Sequence, residues 1–361
     1  MKIGFLFPYS GIFPDLKEDF RQGFDLALSL EAPQARPTCL GEFIQNGDQK
    51  SVEGALKKLL HYERVDLVLG VVGNVVTQEC LPLIESAQAP VVICNLGGNL
   101  PGPALSSPYL FYNGLHLWKS EWAIGKWAQA RYGGAPAVSL SLYEAGYQLH
   151  ECFKNGIAAS GAETMHLNVL RPAQGAGDTL PLVKHLEEQR PAYTHVLLSG
   201  DEAAQFLGYL DASPVKEGLA LTTHPFLGGA HDASYASTWL PSLDNPENRS
   251  FTEHYTRAHD TAPNVYAMLG YECGLAVAAA LNGIDGKPVR AKLAEALSAV
   301  HPVGPRGAIA LSTRPLRADQ PVYLCRRDVI LEELPGVPLD APCFEGIRNV
   351  ATGWLNPYLC V

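Results

Sequence analysis

Side chains that could do chemistry occur along this chain, but they do not form a known catalytic pattern. The sequence holds no G-x-S-x-G nucleophile elbow, no G-x-x-x-x-G-K-S/T phosphate loop and no H-E-x-x-H zinc motif. Gly70 and Gly73 follow an apolar run without the G-x-G-x-x-G spacing of a dinucleotide site, so a turn at a sheet edge explains them more simply. We therefore predict a protein that is not an enzyme and needs no cofactor, with a non-classical active site on the same fold as the weaker alternative.

The cysteine positions do not indicate a metal site. The chain has 8 cysteines, with no C-x-x-C pair and no His/Cys cluster at zinc spacing. Four of them lie inside apolar patterns and are expected to be small buried residues: Cys80, Cys94, Cys152 and Cys273. Three late cysteines are close enough in sequence for one disulfide, and the disulfide and the free thiols both stay open: Cys325, Cys343 and Cys360.

The composition indicates a folded protein without a nucleic-acid partner. Hydrophobic residues make up 47% of the 361 residues and charged residues 18%, which supplies ample core material, and the length favours two lobes. The formal net charge of -10 repels phosphate backbones, and no Lys/Arg block offers a local basic surface. The longest apolar runs fall short of the ~20 residues that cross a bilayer, so no membrane span is expected.

Short apolar runs alternate with segments of helical spacing. Residues 3–7 form a continuously apolar run that Pro8 and Gly11 end, which predicts a strand buried on both faces, and a helix follows. Further helices are predicted at residues 55–60, 77–87, 119–132, 146–160, 178–189, 202–211, 265–282 and 288–299, and further strands at 65–72, 90–94, 137–142, 165–170, 195–199, 219–222, 308–311 and 322–326. This alternation favours parallel sheets that helices cover on both faces.

Several short segments match one family in their order along the chain. They are IGFLFPYSG at 3–11, EDFRQG at 18–23, Trp239 with DNPENRSF at 244–251, PNVYA at 263–267, GYE at 270–272 and GPRG at 304–307. With this combination, which extends to about Arg326, the chain resembles the leucine/isoleucine/valine-binding family of bacterial periplasmic substrate-binding proteins.

The resemblance implies a type I periplasmic-binding fold. Such a fold has two doubly wound α/β lobes with parallel sheets, joined by three crossings, and the ligand lies in the cleft between the lobes. Interruptions of the alternation place the crossings near residues 100–117, 225–248 and 311–326. We therefore expect a lobe formed by residues 1–112 plus 249–311 and a second lobe formed by residues 113–248 plus 325–361.

The resemblance also implies a function. It predicts the non-catalytic substrate-binding component of an ABC-type uptake system for amino acids or related small molecules, with a membrane permease as partner. A cytoplasmic ligand sensor of an amide- or amino-acid-responsive system, acting on a regulatory protein, is the alternative. The family predicts a periplasmic location, whereas no leader precedes the first strand, so Met1 as the native start predicts a cytoplasmic one.

In the first lobe, the resemblance assigns ligand contacts to loops that follow strands. One loop supplies hydroxyls to a ligand carboxylate in the family, but valines occupy the expected places here, which leaves Asn74 and Thr77 as polar candidates. Thr77 is equally well explained as a helix N-cap. The next loop offers Asn95 and Gly97, where Gly97 stands at a family threonine and a tight turn is the alternative. Ser10, in the opening segment, is a further candidate.

In the second lobe, the family's D-x-x-Y-G motif aligns with a segment that lacks its aspartate and tyrosine. Tyr143 and Tyr147 are candidates to compensate, with packing as the alternative for each. Asp201 follows a strand where the family has a polar or aromatic contact, and it also suits a helix N-cap. His224 stands where amino-acid-binding members carry a glutamate for the ligand ammonium, and a surface loop histidine is the alternative.

Aromatic residues complete the candidate site. Tyr266 matches a family aromatic at the cleft, and Phe13 and Trp118 are plausible neighbours, with core packing as their alternative. The changed loops remove the donors and the carboxylate that hold an amino-acid backbone. We therefore expect a small ligand with a ring or an apolar body, amino-acid-like or aromatic, and not an ordinary branched-chain amino acid held at both its carboxylate and its ammonium.

Overall fold

The computed structural model describes residues 1–102, 106–142, 144–162, 164–170, 178–228, 232–309, 311 and 320–348, without the side chain of Arg348. These residues divide into two compact units. Within the described segments, the first contains Met1–Leu115 and Trp239–Gln320, and the second contains His116–Thr238 and residues 321–348. The chain therefore passes from one unit to the other three times, after Leu115, Thr238 and Gln320. Residues 239–248, which the sequence analysis placed in the second lobe, group with the first unit.

Strands and helices alternate through most of the described chain. The strands are β1 (Lys2–Phe7), β2 (Thr38–Phe43), β3 (Leu67–Val71), β4 (Val91–Asn95), β5 (Leu110–Gly114), β6 (Ala137–Ser141), β7 (His166–Leu170), β8 (Tyr193–Leu197), β9 (Ala220–Thr223), β10 (Ser234–Ser237), β11 (Val303–Gly304), β12 (Gly307–Ala308), β13 (Val322–Arg326) and β14 (Val329–Leu334). The helices are α1 (Leu16–Glu31), α2 (Gln49–Lys57), α3 (Asn74–Ala87), α4 (Leu117–Tyr132), α5 (Leu149–Ala158), α6 (Leu180–Gln189), α7 (Gly200–Ala212), α8 (Pro225–Gly228), α9 (Pro246–His259), α10 (Val265–Asn282), α11 (Arg290–Ala299) and α12 (Glu345–Arg348).

The first unit is built on a five-stranded parallel sheet with the order β2-β1-β3-β4-β5. Helix α1 covers one face, where the Phe5 ring packs edge-on against Phe20 and Phe24 at centroid distances of 6.5 and 5.4 Å. Helices α2 and α3 cover the other face, where residues such as Val52 and Ile84 join one apolar cluster with the strands. This is the doubly wound arrangement that the buried, continuously apolar strands predicted.

Helices α1 and α10 cross in very close contact, which explains two of the family-like segments. A Cβ atom at Gly23 would lie 2.0 Å from the carbonyl oxygen of Ala267, and one at Gly270 would lie 2.0 Å from that of Phe20. Only glycine fits at these positions because any side chain would collide with the backbone of the facing helix. The glycines of the EDFRQG and GYE segments are therefore packing residues.

The second unit is built on a mixed sheet with the order β14-β13-β10-β9-β8-β6-β7. The strands from β6 to β10 are parallel to one another, whereas β13 pairs antiparallel with both β10 and β14. Helices α6 and α7 pack on one face through residues such as Val183 and Phe206, and α4 and α5 lie on the other. The predicted α/β class is confirmed. The prediction of parallel sheets is wrong at one edge of this sheet, where β13 and β14 are antiparallel.

Five strands were missing from the sequence prediction, and one of them is the two-residue strand β11. Strand β2 is half exposed and received no assignment, and β5 and β10 lie in or next to stretches that were interpreted as irregular crossings. Strand β14 falls in the tail that was described as irregular. These strands are short or carry polar residues such as Asn113 and Ser234, so pairing with a neighbouring strand defines them more than their own pattern does.

Helix α10 is a core helix of the first unit. Its 18 residues are long and apolar enough to cross a membrane, and it is the one helix of the described segments that is so. However, 83% of it is buried inside the fold. A helix that is hydrophobic all round is expected in such an interior position.

The close crossing of α1 and α10 predicts a strong stability effect of one methyl group. Gly270→Ala should lower the free energy of unfolding by about 1–3 kcal/mol or more, because the helices must separate to admit the Cβ atom. Gly54→Ala in α2 is the matched control, since a Cβ there meets nothing within 4 Å. The control should gain up to about 1 kcal/mol from helix propensity. Urea denaturation measures both changes, and a loss at Gly270 no larger than the change at Gly54 would contradict the described crossing.

Candidate functional site

The loops at the carboxyl edge of the first sheet carry the polar candidates of this unit. Because β1, β3 and β4 are parallel, their carboxyl ends meet at one edge, which is where open α/β sheets bind ligands. Ser10 follows β1, Asn74 begins the helix after β3, and Asn95 ends β4. The structure therefore brings these three predicted residues to the same edge.

The two asparagines at this edge brace the loops against each other. Asn95 Nδ2 donates to the carbonyl oxygen of Val72 at 3.0 Å and to Asn74 Oδ1 at 2.8 Å, and Asn95 Oδ1 accepts from the Gly97 amide at 3.0 Å. Asn74 Nδ2 donates in turn to the carbonyl oxygen of Asn99 at 2.8 Å. Both amide hydrogens of Asn95 are thus used within the loops, so its contribution to a ligand site is the shape of the edge.

The backbone conformation of Gly97 explains why this edge lacks the threonine hydroxyl of the family at that position. Gly97 has a φ of 77°, in the left-handed region that a β-branched threonine adopts only at a cost. Thr77 lies inside the first turn of α3, where its hydroxyl donates to the Gly73 carbonyl at 2.9 Å. The interpretation of Thr77 as the N-cap is wrong, because Gly73 holds that position. Val75 leaves 42% of its surface exposed there, while Val76 is buried.

The aromatic candidates of the first unit form one contact. Phe13 packs edge-on against Tyr266 with a centroid distance of 5.0 Å, and the Phe13 amide donates to Ser10 Oγ at 3.0 Å. Tyr266 is fully buried, whereas Phe13 is partly exposed. Tyr9 on the same loop is half exposed. Phe13 and Tyr9 therefore expose aromatic surface in the loop after β1.

A buried ionic network stabilises the elements next to this edge. Arg306 donates to both carboxylate oxygens of Glu272, at 3.0 and 2.5 Å, and also to the Gly114 carbonyl at 2.7 Å and to Asn113 Oδ1 at 2.8 Å. Asn113 Nδ2 donates back to Glu272 at 3.1 Å. The network ties the end of β5 to α10 and to the turn between β11 and β12. The GYE and GPRG segments are thereby explained as supports of the edge.

At the carboxyl edge of the second sheet, Glu144 and Ser199 form a pair that the sequence analysis missed. Glu144 follows β6 and is 2% exposed, and Ser199 follows β8 and donates to Glu144 Oε1 at 2.5 Å. Burial raises the pKa of Glu144 to about 7, the Ser199 hydroxyl opposes this, and the nearby carboxylates Glu202 and Glu121 add to it. An acidic residue directly after an apolar strand was the signal that could have drawn attention to it.

His224 is fully buried beside this pair, so its interpretation as a surface histidine is wrong. Its Nε2 lies 2.9 Å from the Leu198 carbonyl, and the Phe226 amide donates to Nδ1 at 3.2 Å. These partners require the neutral tautomer with the proton on Nε2. Burial lowers the pKa of His224 to about 4. The ring therefore braces the loop after β9, with both nitrogens engaged.

The other predicted residues of the second unit lie in different settings. Tyr147 is buried next to the Glu144 loop, and its amide donates to the Glu144 carbonyl at 3.1 Å. Trp118 is buried and packs edge-on against Phe344 at 5.5 Å, as its core-packing alternative expects. Asp201 is exposed in the first turn of α7, whose N-cap is Ser199, so the N-cap interpretation of Asp201 is wrong. Tyr143 lies outside the described residues.

A second buried pair supports the same sheet from the α4 side. His195 Nε2 lies 2.8 Å from Glu121 Oε2, and Phe153 stacks on the imidazole at 3.9 Å. Thr222 Oγ1 lies 3.0 Å from His195 Nδ1 and 3.3 Å from the Thr194 carbonyl oxygen. These contacts fix β8 and β9, the two strands that lead to Ser199 and His224.

Sulfur and acidic side chains do not assemble into a metal centre in the described segments, where no group of three potential ligands occurs. Cys325 is a buried free thiol and Cys343 an exposed one, while Cys360 lies outside the described residues. Of the four cysteines expected to be buried, Cys80, Cys94, Cys152 and Cys273 are all buried, as predicted.

Glu144 and His224 predict opposite effects of pH on the free energy of unfolding. The pKa of Glu144 rises from 4.5 to about 7 in the fold, so the folded chain keeps a proton that the unfolded chain loses, and stability falls as the pH rises through this window. The pKa of His224 falls from 6.5 to about 4, so the unfolded chain is protonated first, and stability falls as the pH drops through that window.

Urea denaturation between about pH 4 and about pH 8 separates the two effects. Glu144→Gln should remove the decrease in the free energy of unfolding as the pH rises from 4.5 to about 7. His224→Ala should flatten the loss on the acidic side and cost about 1–3 kcal/mol at neutral pH, because the Leu198 carbonyl and the Phe226 amide lose their partner. Parallel profiles of the wild type and both variants would contradict the burial described for these groups.

Comparisons with known proteins agree with the fold and the order of the motifs. A family model described as periplasmic binding protein matches residues 1–328. A relative named Leu/Ile/Val-binding protein homolog 6, from Brucella melitensis biotype 1, is 22% identical over 342 residues, which cover 90% of this chain and 86% of the relative.

Two solved structures share the fold at low sequence identity. An ABC transporter substrate-binding protein from Sphaerobacter thermophilus has a TM-score of 0.78 and 22% identity, and the match covers 93% of this chain and 98% of the other. A solute-binding protein of an ABC transporter from R. palustris, in complex with benzoate, has a TM-score of 0.76 and 22% identity over 93% of this chain and 97% of the other. With the family model covering most of its length, this chain belongs to the periplasmic binding protein family and is similar to its Leu/Ile/Val-binding members.

Proposed function

We propose that this chain is the substrate-binding component of an ABC-type uptake system and that it binds a small organic molecule without changing it. Family membership supports the binding role. The described polar groups at the two sheet edges also favour it, because most of them hold loops in place instead of forming a nucleophile with an adjacent base. Asn74 and Asn95, for example, donate to carbonyl oxygens of neighbouring loops.

The ligand that fits best is a small carboxylate with a ring or an apolar body. The observation that carries this proposal is the apolar edge of the first unit, where Val75 is exposed and Gly97 adopts a backbone conformation unsuited to threonine. Phe13 and Tyr9 add aromatic surface. The neutral, fully bonded imidazole of His224 cannot replace a carboxylate as the partner of an ammonium group.

Helix α3 supplies the anion-binding element of this proposal. Its N-cap is a glycine without a side-chain cap hydrogen bond, so the amides of its first turn are available to a carboxylate. Val75 stands in this turn beside those amides. The R. palustris relative with benzoate makes aromatic carboxylates a reasonable first class of ligand to test.

Calorimetric titration tests the ligand class. We expect benzoate or a substituted benzoate to bind, and saturation at 100 times the dissociation constant should add ~2.7 kcal/mol to the free energy of unfolding. Leucine, isoleucine and valine should bind more weakly, by about a hundredfold or more, than to a site that holds both the carboxylate and the ammonium of an amino acid. The reason is that two charge-assisted hydrogen bonds of such a site are missing here. Micromolar or tighter binding of any of these three amino acids would contradict the proposed class.

A charge placed at Val75 tests the position of the ligand carboxylate. Val75→Asp should weaken the binding of an aromatic carboxylate by about tenfold or more, because like charges repel at short distance. The fold should tolerate the change, since aspartate is favourable in the first turn of a helix. Val303→Asp, at a position 55% exposed on β11, is the matched control and should leave affinity unchanged. Equal affinities of the two variants would place the carboxylate elsewhere.

A further inference from the structure

Two buried cysteines of the first unit meet although they are far apart in sequence. The Sγ atoms of Cys94 on β4 and Cys273 on α10 lie 3.3 Å apart, and 179 positions separate the two residues in the chain. Both side chains are fully buried, and both are free thiols. Buried cysteine commonly serves as a small apolar residue, but such packing does not require two sulfurs to face each other. The contact therefore makes the pair a candidate for covalent chemistry.

The two sulfurs are close to the separation of a disulfide. A disulfide bond is about 2.05 Å long, so the sulfurs must approach by about 1.3 Å. Sγ is the only heavy atom of cysteine beyond Cβ, and small rotations about the two Cα–Cβ bonds supply this movement. The elements that carry the pair are held in place independently, because β4 lies between β3 and β5 in the sheet and Glu272, next to Cys273, is bound to Arg306. The fold thus keeps the two sulfurs together.

We propose that Cys94 and Cys273 form a disulfide when the chain folds in the presence of a low-molecular-weight disulfide such as oxidised glutathione. The thiolate of one cysteine attacks the oxidant, forms a mixed disulfide and releases one glutathione. The second thiolate attacks the cysteine sulfur of the mixed disulfide, and the second glutathione leaves. Two cysteines are oxidised, the glutathione disulfide is reduced to two thiols, and the two cysteine protons end on these thiols. This inference does not depend on the proposed function.

The bond closes a long loop of the chain within the first unit. It joins β4, which precedes the first crossing between the units, to α10, which follows the second. Cross-linking such distant positions restricts the unfolded chain and stabilises the fold. The bond also connects two supports of the sheet edge, since Cys94 precedes Asn95 and Cys273 follows Glu272. We therefore expect the oxidised protein to unfold at a higher temperature than the reduced protein.

Burial decides when the oxidation can occur. It raises the pKa of Cys94 well above the usual range of a thiol, and the hydrogen bond with Cys273 adds to this effect. Because the thiolate is the form that reacts with a disulfide, the pair is almost inert once the fold has enclosed it. The test therefore oxidises the chain while it refolds.

The experiment refolds the full chain from denaturant in a mixture of reduced and oxidised glutathione. Iodoacetamide then blocks the remaining thiols, and mass spectrometry maps the tryptic peptides without reduction. Cys273 is the only cysteine of the peptide 258–290, whereas the peptide 65–119 contains both Cys80 and Cys94. We expect these two peptides to be linked in the wild type. Cys94→Ala should abolish the link, and Cys80→Ala, the matched control at a buried thiol of the same unit, should preserve it.

Thermal unfolding with and without dithiothreitol measures the effect of the bond on stability. The oxidised wild type should have a Tm about 5 °C or more above that of the reduced protein, and Cys94→Ala should lose this difference while Cys80→Ala retains it. Alkylation of both Cys94 and Cys273 in the refolded wild type, or a link from either to another cysteine, would overturn the proposal. This map needs no variant, so it decides the question even where Cys94→Ala does not fold. A linked wild type without a higher Tm would show that the bond does not fit the native fold, which overturns the proposal as well.

Discussion

The ionic network of Arg306, Glu272 and Asn113 is the interaction on which the first unit depends. All three side chains are buried, and the Arg306 guanidinium is paired with the Glu272 carboxylate while Asn113 bonds to both. Removing one partner of a buried pair strands the other and costs about 3–5 kcal/mol, so the turn after β11, the end of β5 and helix α10 are fixed as one piece. The loops that carry Asn74 and Asn95 lie on the sheet that this piece closes.

The residues that reveal the family are those that hold the fold. Trp239 Nε1 donates to Asn248 at 2.8 Å, Asn248 in turn bonds to loop carbonyls, and Asn264 caps α10 through two amides at 3.0 Å. Gly23 and Gly270 permit the crossing of α1 and α10. These contacts join elements of the fold, and Asn264 also holds the amide of the candidate Tyr266. A chain can therefore keep the family's architecture at 22% identity while its ligand contacts change.

The two sheet edges differ in chemistry. The first presents Val75, Tyr9 and Phe13 around loops that the Asn74 and Asn95 side chains hold together. The second presents the Glu144 carboxyl with one oxygen engaged and one unmet, above the braced imidazole of His224. An apolar surface supplies affinity through burial, and a few placed polar groups supply orientation.

The sequence by itself determined the α/β class, the long core helix at residues 265–282 and the family, because apolar periodicity and ordered motifs are local signals. It did not determine β5, β10 or β14, which pairing with distant strands defines. It proposed His224 as a ligand contact with a surface position as the alternative, and it overlooked Glu144, because neither burial nor hydrogen-bond partners can be read from neighbours in the chain. The tertiary structure decided these points. His224 bonds to the Leu198 carbonyl, and Glu144 accepts from Ser199. These partners meet only because β6, β8 and β9 lie side by side in one sheet.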